Sequence, residues 1–303
     1  MEFNPIAVDD YHKLKRYFEN QPHHLSTYSL FSIIVWSNHK LRAYFAVEND
    51  TLIIINRPED DSDCGHLILP LPFNDAINAE YLYDLAERIG CNMYCFIPET
   101  FIQQYGRDHF EKYFTITEQP EFEDYIYLTD DLAGLRGNKF ARQRNWIHQF
   151  QNTYMNHGRV DIEAIAPHHV KDCLEFLEKW CVERNCDLDQ EENFACEKIA
   201  AMNALNSLDR LEAEGILIRI DGIVSGFGIS SYLTNDMGIL NFEKAYSHIK
   251  GLYQFLDNEC TKRLFKRYTY INKESDMSIP NLAQSKNSYN PVMKLKSYCL
   301  HIR

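Results

Sequence analysis

The strongest constraint on the fold is an order of elements that occurs twice along this chain of 303 residues. In the first half, two apolar stretches rich in strand-forming residues flank Glu48-Asn49-Asp50, which predicts a hairpin. The hairpin strands are 41–47 and 51–56, and they are followed by a strand at 66–71, a helix at 78–89 and a strand at 92–97.

The second half has the same order. Asp221-Gly222, a strong hairpin signal, separates strand-like stretches at 215–220 and 223–232. Helices at 168–183 and 192–208 precede this hairpin, and a strand at 238–242, a helix at 252–264 and a strand at 268–271 follow it. The sequence therefore predicts an α/β (α+β) protein of two tandem domains, residues 1–157 and 158–303. Each is expected to hold a mixed, mainly antiparallel sheet flanked by helices; a chance agreement of the two orders is the alternative.

The apolar run Leu30–Trp36 has the length of a strand, and no stretch approaches the roughly 18 to 20 apolar residues of a membrane span. The nine cysteines show no C-x-x-C spacing, and the first residues lack the basic and apolar regions of a signal peptide. We therefore expect a cytoplasmic protein with reduced thiols and no transmembrane segment.

The charge of the chain is unevenly distributed. The net charge of −13 disfavours a broad nucleic-acid surface. Residues 241–303, however, carry a net charge of +6, and residues 132–160 contain five basic residues and no acidic one. These two regions are where an anionic ligand is expected to bind; the alternative is that both are solvated faces.

Three segments carry a resemblance to a known family: DYIYLTDDLAGLRGNKFARQRNWIHQF (124–150), NFEKAYSHIKGLYQFLDNE (241–259) and YINKESDMSIPNLAQSKNSYNP (270–291). Together they resemble a bacterial family grouped with the C-terminal domain of phosphatidylglycerol lysyltransferases. This resemblance implies two tandem domains with the fold of the Gcn5-related N-acetyltransferases (GNAT). It also implies a relation to the Fem-type aminoacyltransferases that build peptidoglycan cross-bridges.

The function implied by this resemblance is acyl or aminoacyl transfer to an amine or hydroxyl acceptor. The donor is acyl-CoA or aminoacyl-tRNA, with tRNA as a partner in the second case, and the acceptor is a small molecule or a lipid headgroup. No permanently bound cofactor is expected. A module that binds an anionic or amino-acid-like ligand without catalysis is the alternative, because fold alone does not determine function. The N-terminal domain, which lacks a phosphate-binding loop, is expected to be structural.

The acid-free region is predicted to contain a helix from about residue 138. Arg142 lies away from the apolar side of this helix, and Arg144 is the second candidate ligand. Since arginine can hold phosphate or carboxylate through two donors, both are predicted to bind an anionic substrate or donor. The alternative interpretation is that these arginines form ion pairs with acidic surface residues of the neighbouring domain and bind no ligand.

The catalytic centre is predicted in the C-terminal domain. Glu243 ends a strand, where its carboxylate can serve as general base for the attacking amine. Lys250, Gly251 and Tyr253 lie where the next helix begins, and the unpaired N–H groups there favour an anion. An exposed Glu243–Lys244 pair with no function is the alternative.

The third segment supplies further candidates. Asn272, Glu274 and Asp276 alternate, so a strand would direct all three to one face, where they would bind an ammonium group. A Mg²⁺ or Ca²⁺ ion is the less favoured alternative ligand for these three oxygen-bearing side chains. Glu274 is a second candidate base, and Lys286 a further substrate ligand. A turn followed by a helix near Pro280 is the alternative. The histidine pairs lack metal-ligand spacing, so no metal is expected.

Overall fold

The protein is described from a computed structural model that covers residues 1–38, 40–59, 64–72, 77–184 and 192–303, with the side chains of 192–196 left aside. The chain forms two compact units. Unit 1 comprises Met1–Tyr125, Glu274–Gln284 and Met293–Arg303, and unit 2 comprises Ile126–Lys273 and Ser285–Val292.

The strands of the described residues are β1 (Asn4–Pro5), β2 (Arg42–Glu48), β3 (Thr51–Arg57), β4 (His66–Leu67), β5 (Met93–Pro98), β6 (Phe114–Glu118), β7 (Asp124–Leu128), β8 (Val160–Ala164), β9 (Glu214–Ile220), β10 (Ile223–Tyr232), β11 (Met237–Ala245), β12 (Tyr270–Asn272), β13 (Met293–Leu295) and β14 (Ser297–Ile302). The α-helices are α1 (Tyr11–Leu14), α2 (Leu30–Trp36), α3 (Ala79–Ile89), α4 (Glu99–Tyr105), α5 (Arg107–Phe110), α6 (Thr129–Gly134), α7 (Ala141–Thr153), α8 (Val170–Arg184), α9 (Glu192–Ser207), α10 (Leu252–Leu264) and α11 (Pro280–Ser288). Short 3-10 turns connect several of these helices.

The strands form two seven-stranded mixed sheets, in the orders β1-β2-β3-β4-β5-β14-β6 and β13-β7-β12-β11-β10-β9-β8. Most neighbouring strands are antiparallel, whereas β4–β5 and β11–β12 are parallel. The predicted α+β class, with two mixed and mainly antiparallel sheets flanked by helices, is therefore confirmed.

Two strands explain why the compact units differ from the predicted division at residue 157. β7 pairs with β12, with Ile126, Tyr127 and Leu128 opposite Asn272, Ile271 and Tyr270. β14 lies between β5 and β6 in the other sheet. Since backbone hydrogen bonds join each strand to a sheet built mainly from the other half of the chain, the residues from Ile126 onward fall in unit 2 and β14 falls in unit 1.

Both predicted hairpins are present. Asn49 and Asp50 have φ values of 48° and 59°, and Asp221 and Gly222 have values of 52° and 80°, so both turns use two consecutive residues in the left-handed region. The predicted helices at 78–89 and 252–264 are also confirmed as α3 and α10. In α3, the Asn78 side chain caps the helix by accepting a hydrogen bond from the Tyr81 amide at 3.0 Å.

The strand predicted over Leu30–Trp36 is wrong, because this run forms α2. The Ser29 hydroxyl accepts a hydrogen bond from the Ser32 amide and caps the helix. Four of its apolar side chains, those of Leu30, Phe31, Ile34 and Val35, are buried. A short helix buried on several sides has the same continuous apolar sequence as a buried strand, so periodicity does not separate the two.

Two further features bear on the predictions. The strand predicted at 66–71 is limited to His66–Leu67. Within the described parts of the chain, no helix combines the length and the apolar character that crossing a membrane requires.

Candidate functional site

The candidate site of unit 2 lies where two parallel strands stop pairing. β11 and β12 are joined at Met237–Tyr270, Gly238–Ile271 and Ile239–Asn272. β12 ends there, whereas β11 continues to Ala245 and pairs with β10 along its other edge. The last residues of β11 therefore extend past the end of β12, and Glu243 is one of them.

The Glu243 side chain faces α10. Glu243 lies directly opposite Gly228 of β10, and opposed residues in an antiparallel pair project to the same face. A β-carbon on Gly228 would lie 2.3 Å from the sulfur of Cys260, so α10 covers this face closely. Asp257 precedes Cys260 by about one helical turn and is also buried on α10.

A buried ion pair adjoins Glu243. Lys273 directly follows β12, and its ammonium group forms an ion pair with the Asp257 carboxylate. The two side chains are only 9% and 4% exposed. The aromatic rings of Tyr127 and Tyr289 lie 5.5 and 5.0 Å from the Lys273 ammonium nitrogen. Tyr289 also hydrogen-bonds Asp257 through its hydroxyl. The ion pair is therefore held from several sides.

Lys286 completes this arrangement. Its ammonium donates a hydrogen bond to the Lys273 carbonyl at 2.6 Å. Its own carbonyl accepts a hydrogen bond from the Tyr127 hydroxyl at 2.8 Å. We call Glu243, Asp257, Lys273, Lys286 and Tyr289 the charge cluster. It brings together two carboxyl groups, two ammonium groups and a phenol.

The charge cluster shifts the protonation of Glu243. Burial raises the pKa of this carboxyl to about 8, and the negative charge of Asp257 acts in the same direction, while Lys273, Lys244 and Lys286 oppose the shift. Burial lowers the pKa of Lys273, but Asp257 and Glu243 outweigh it and the pKa is raised. Burial and Asp257 raise the pKa of Tyr289 well above its ordinary value. Near neutral pH the cluster therefore combines a protonated Glu243 with a charged Asp257–Lys273 pair.

Lys244 leaves β11 on the opposite face, because successive residues of a strand alternate. Its buried ammonium forms an ion pair with Glu197 and lies 4.5 Å from the centre of the Trp180 ring. The Trp180 indole N–H hydrogen-bonds the Ala245 carbonyl at 3.1 Å and the Tyr253 hydroxyl at 3.0 Å. The alternative of an exposed Glu243–Lys244 pair is excluded, since the two side chains face different surroundings.

The start of α10 is packed against α7. Gly251 has a φ of 82°, and a β-carbon at this position would lie 2.2 Å from the Trp146 carbonyl oxygen. Glycine is therefore required here for close backbone approach. The Lys250 ammonium lies 4.9 Å from the centre of the Trp146 ring. The proposed anion-binding role of Lys250, Gly251 and Tyr253 stays a prediction, and packing accounts independently for the glycine.

The two arginines of α7 have different environments. Arg144 donates to the carbonyl oxygens of Leu135 at 2.5 Å and Gly137 at 2.7 Å, so it holds the turn before the helix. Arg142 is exposed, and within the described ranges it forms no ion pair. Arg142 is thus the better placed of the two for an external anion, and neither prediction of a ligand is tested by these contacts.

The predicted common face of Asn272, Glu274 and Asp276 is wrong. β12 ends at Asn272, which is fully buried, and Glu274 has a φ of 57°. A residue in the left-handed region interrupts the alternation of an extended strand. Asp276 instead accepts a hydrogen bond from the Tyr125 hydroxyl at 2.5 Å. Asn272 belongs to unit 2 and the two acidic residues to unit 1, and the alternative of a helix near Pro280 is confirmed as α11.

Sequence reasoning found Glu243 and Lys286 but missed Asp257 and Lys273. One signal was available for Asp257, because this carboxylate lies beside the apolar residues Leu256 and Cys260 on a helix whose inward face is mainly apolar. A charged residue next to an apolar helical face is seldom fully buried without a partner. Lys273 gave no comparable signal.

Comparison with known proteins places the chain in a family. The family model described as phosphatidylglycerol lysyltransferase, C-terminal, matches residues 28–301. A conserved protein of unknown function from Bacteroides thetaiotaomicron is similar over 100% of both chains, with 26% identity and a TM-score of 0.88. The C-terminal domain of a protein described as a lysylphosphatidylglycerol synthetase from Agrobacterium fabrum has 12% identity and a TM-score of 0.62, over 97% of this chain and 92% of that one.

No curated protein sequence matches the chain. The family model nevertheless spans both units and the whole charge cluster. The chain therefore belongs to the family of phosphatidylglycerol lysyltransferase C-terminal domains.

Proposed function

We propose that unit 2 transfers an acyl or aminoacyl group to an amine or hydroxyl acceptor, with Glu243 as general base. The observation that carries this proposal is the position of Glu243 beyond the end of β12, beside a fixed Asp257–Lys273 ion pair. Membership of the lysyltransferase C-terminal family supports the reaction class. Acyl-CoA and aminoacyl-tRNA are the candidate donors, and a small molecule or a lipid headgroup is the candidate acceptor.

The chemistry follows from the charge cluster. An acceptor amine or hydroxyl attacks the donor carbonyl and must lose a proton, which the Glu243 carboxylate accepts. A base with a pKa near the working pH combines a useful ionised fraction with adequate basicity, and the pKa of Glu243 is about 8. The ammonium groups of Lys273 and Lys286 supply positive charge that favours the oxyanion formed at the carbonyl.

This role makes the reaction depend on pH. Burial holds Glu243 protonated at neutral pH, and only the ionised carboxylate can accept a proton. The rate constant kcat/KM is therefore expected to rise between about pH 6 and pH 8 and to level off above the pKa of Glu243.

The test measures turnover with two donors. Acetyl-CoA is assayed by thiol release with soluble amines. Bulk tRNA charged with radiolabelled amino acids is assayed by transfer of label to soluble amines or to phosphatidylglycerol vesicles. Glu243→Gln should lower kcat by at least about 100-fold while donor affinity stays within about twofold, because the general base is lost but binding groups remain.

Glu214→Gln is the matched control, since Glu214 is an exposed glutamate at the start of β9 in the same sheet. It should leave turnover unchanged. Full activity in Glu243→Gln would refute the assignment of the base. Donor binding without turnover in the unmodified protein would assign unit 2 to a non-catalytic binding module. Salt dependence separates the donors, because tRNA binding weakens steeply as salt rises.

A further inference from the structure

Two cysteines of unit 1 lie on neighbouring strands at a β-bulge. Ile97 pairs with Tyr298 and Tyr94 pairs with Leu300, so Cys299 of β14 alone faces both Cys95 and Phe96 of β5. The same residue pairs with Thr117 of β6 along its other edge, which fixes β14 between two strands. The extra residue of β5 is therefore accommodated opposite Cys299.

The bulge is held in a strained conformation by buried partners. Phe96 has a φ of 58°, which costs an aromatic residue on the order of 1–2 kcal/mol. Its amide donates to the Gln119 side-chain oxygen at 2.8 Å, and its carbonyl accepts from the Tyr28 hydroxyl at 3.1 Å. Gln119 and Tyr28 are themselves buried. The alignment of the two strands at the cysteines is therefore determined by the surrounding structure.

The strand register places the two cysteines opposite each other on paired strands. The Cys95 thiol donates a hydrogen bond to the Cys299 sulfur. This bond lowers the pKa of Cys299, whereas the bond and burial together raise the pKa of Cys95. Both residues are buried, at 6% and 9% exposed, so few other thiols can reach them. Proximity on paired strands and a thiol with a lowered pKa both favour closure of a disulfide when an oxidant is present.

We propose that Cys95 and Cys299 form an oxidative modification site, at which a peroxide closes a disulfide between β5 and the C-terminal strand β14. The Cys299 thiolate attacks one oxygen of hydrogen peroxide, which gives a sulfenic acid and, with a proton, one water. Cys95 then attacks the sulfenic sulfur, its proton leaves with the hydroxyl as a second water, and the S–S bond forms. Two thiols are oxidised by two electrons and one peroxide is reduced to two waters. The site is independent of the function proposed for unit 2.

The disulfide would join residues that are far apart in sequence, and the constraint it places on the unfolded chain grows with that separation. Oxidation is therefore expected to stabilise unit 1 and to prevent release of β14. We expect the midpoint of thermal unfolding to rise by at least about 2 °C. The rise for a given gain in free energy is smaller in a longer domain, because the entropy of unfolding grows with chain length.

The experiment treats the folded full-length protein with hydrogen peroxide, blocks remaining thiols with N-ethylmaleimide after denaturation, and maps peptides by mass spectrometry. The expected result is a peptide pair joined through Cys95 and Cys299 with a mass lower than that of the reduced pair by two hydrogens. Cys91→Ser is the matched control, because Cys91 is a buried thiol of the same unit outside the pair. This variant should form the same linked peptides.

Recovery of Cys95 and Cys299 with separate maleimide adducts, under conditions that oxidise Cys64, would overturn the proposal. So would conversion of Cys299 to sulfinic acid without any linked peptide. Since mapping uses the unmodified protein, the test does not depend on the folding of Cys95→Ser or Cys299→Ser.

Discussion

The close approach of α10 to β10 leads to a prediction about Gly228. A β-carbon at this position would lie 2.3 Å from the Cys260 sulfur, but 3.6 Å from the Phe242 carbonyl oxygen and 3.8 Å from the Cys260 β-carbon. Only the sulfur is too close. The φ of Gly228 does not lie in the left-handed region, so alanine meets no backbone strain. Gly228→Ala should therefore act through one steric conflict.

The expected magnitude combines two opposing effects. Overpacking a buried site costs about 1–3 kcal/mol, and replacing glycine by alanine at a compatible backbone position contributes about 0.4–1 kcal/mol of stability. Gly228→Ala should therefore destabilise unit 2 by about 1–2 kcal/mol, from the difference of these terms. In Gly228→Ala/Cys260→Ala the sulfur is absent and the new methyl group occupies part of its volume. The double variant should be more stable than Gly228→Ala.

The assay is urea unfolding followed by tryptophan fluorescence in a Trp36→Phe background. Trp146 and Trp180 lie in unit 2 and Trp36 in unit 1, so the remaining signal reports unit 2. A double-mutant cycle should give a favourable coupling of at least about 1 kcal/mol. Equal stability of Gly228→Ala and the parent, or strictly additive effects, would refute the reasoning from this contact.

Three further predictions concern charged groups. Burial raises the pKa of Glu243 to about 8 in the folded protein, so the favourable contribution of this group to stability is complete below about pH 4.5 and is lost as pH rises through 8. In urea unfolding, Glu243→Gln should therefore gain stability relative to the parent as pH rises. Parallel stability curves for the two proteins would contradict this. Lys273→Met should destabilise unit 2 by about 3–5 kcal/mol because it leaves the buried Asp257 carboxylate without its ammonium partner. The double variant Lys273→Met/Asp257→Leu should recover much of that lost stability in the same assay, because no buried charge is left uncompensated. A further loss of stability would show that Asp257 is held by more than its pairing with Lys273. Arg144→Gln should cost about 1 kcal/mol, because two hydrogen bonds from a solvent-exposed guanidinium to carbonyl oxygens are lost. Arg142→Gln should change stability by less than about 0.5 kcal/mol, and equal effects in thermal unfolding would argue against the difference.

Local sequence signals predicted most of the elements. The two hairpin turns, at Asn49-Asp50 and Asp221-Gly222, require residues that tolerate the left-handed region, and such residues stand there. The boundaries of α10 agree with its apolar spacing. These features depend on residues that are neighbours in the chain, so they can be predicted without knowledge of the tertiary structure.

Other elements depended on distant parts of the chain. Leu30–Trp36 forms a helix although its apolar run equally suits a strand, because packing on several sides decides between the two. The placement of β7 beside β12 and of β14 between β5 and β6 also has no local signal. Every strand offers the same backbone donors and acceptors, so the sequence of a strand does not specify its pairing partner. The division into units follows from these pairings.

The candidate site shows the same distinction. The sequence by itself determined that Glu243 lies near the end of a strand that precedes a helix and that Lys286 lies in the last family-like segment. It also determined the hairpins, the main helices and the α+β class. Only the tertiary structure decided that Asp257 and Lys273 pair beside Glu243, and that Glu274 and Asp276 belong to the other unit. The physical reason is that a carboxyl pKa depends on burial and on nearby charges, and both arise from residues that folding brings together from separate segments.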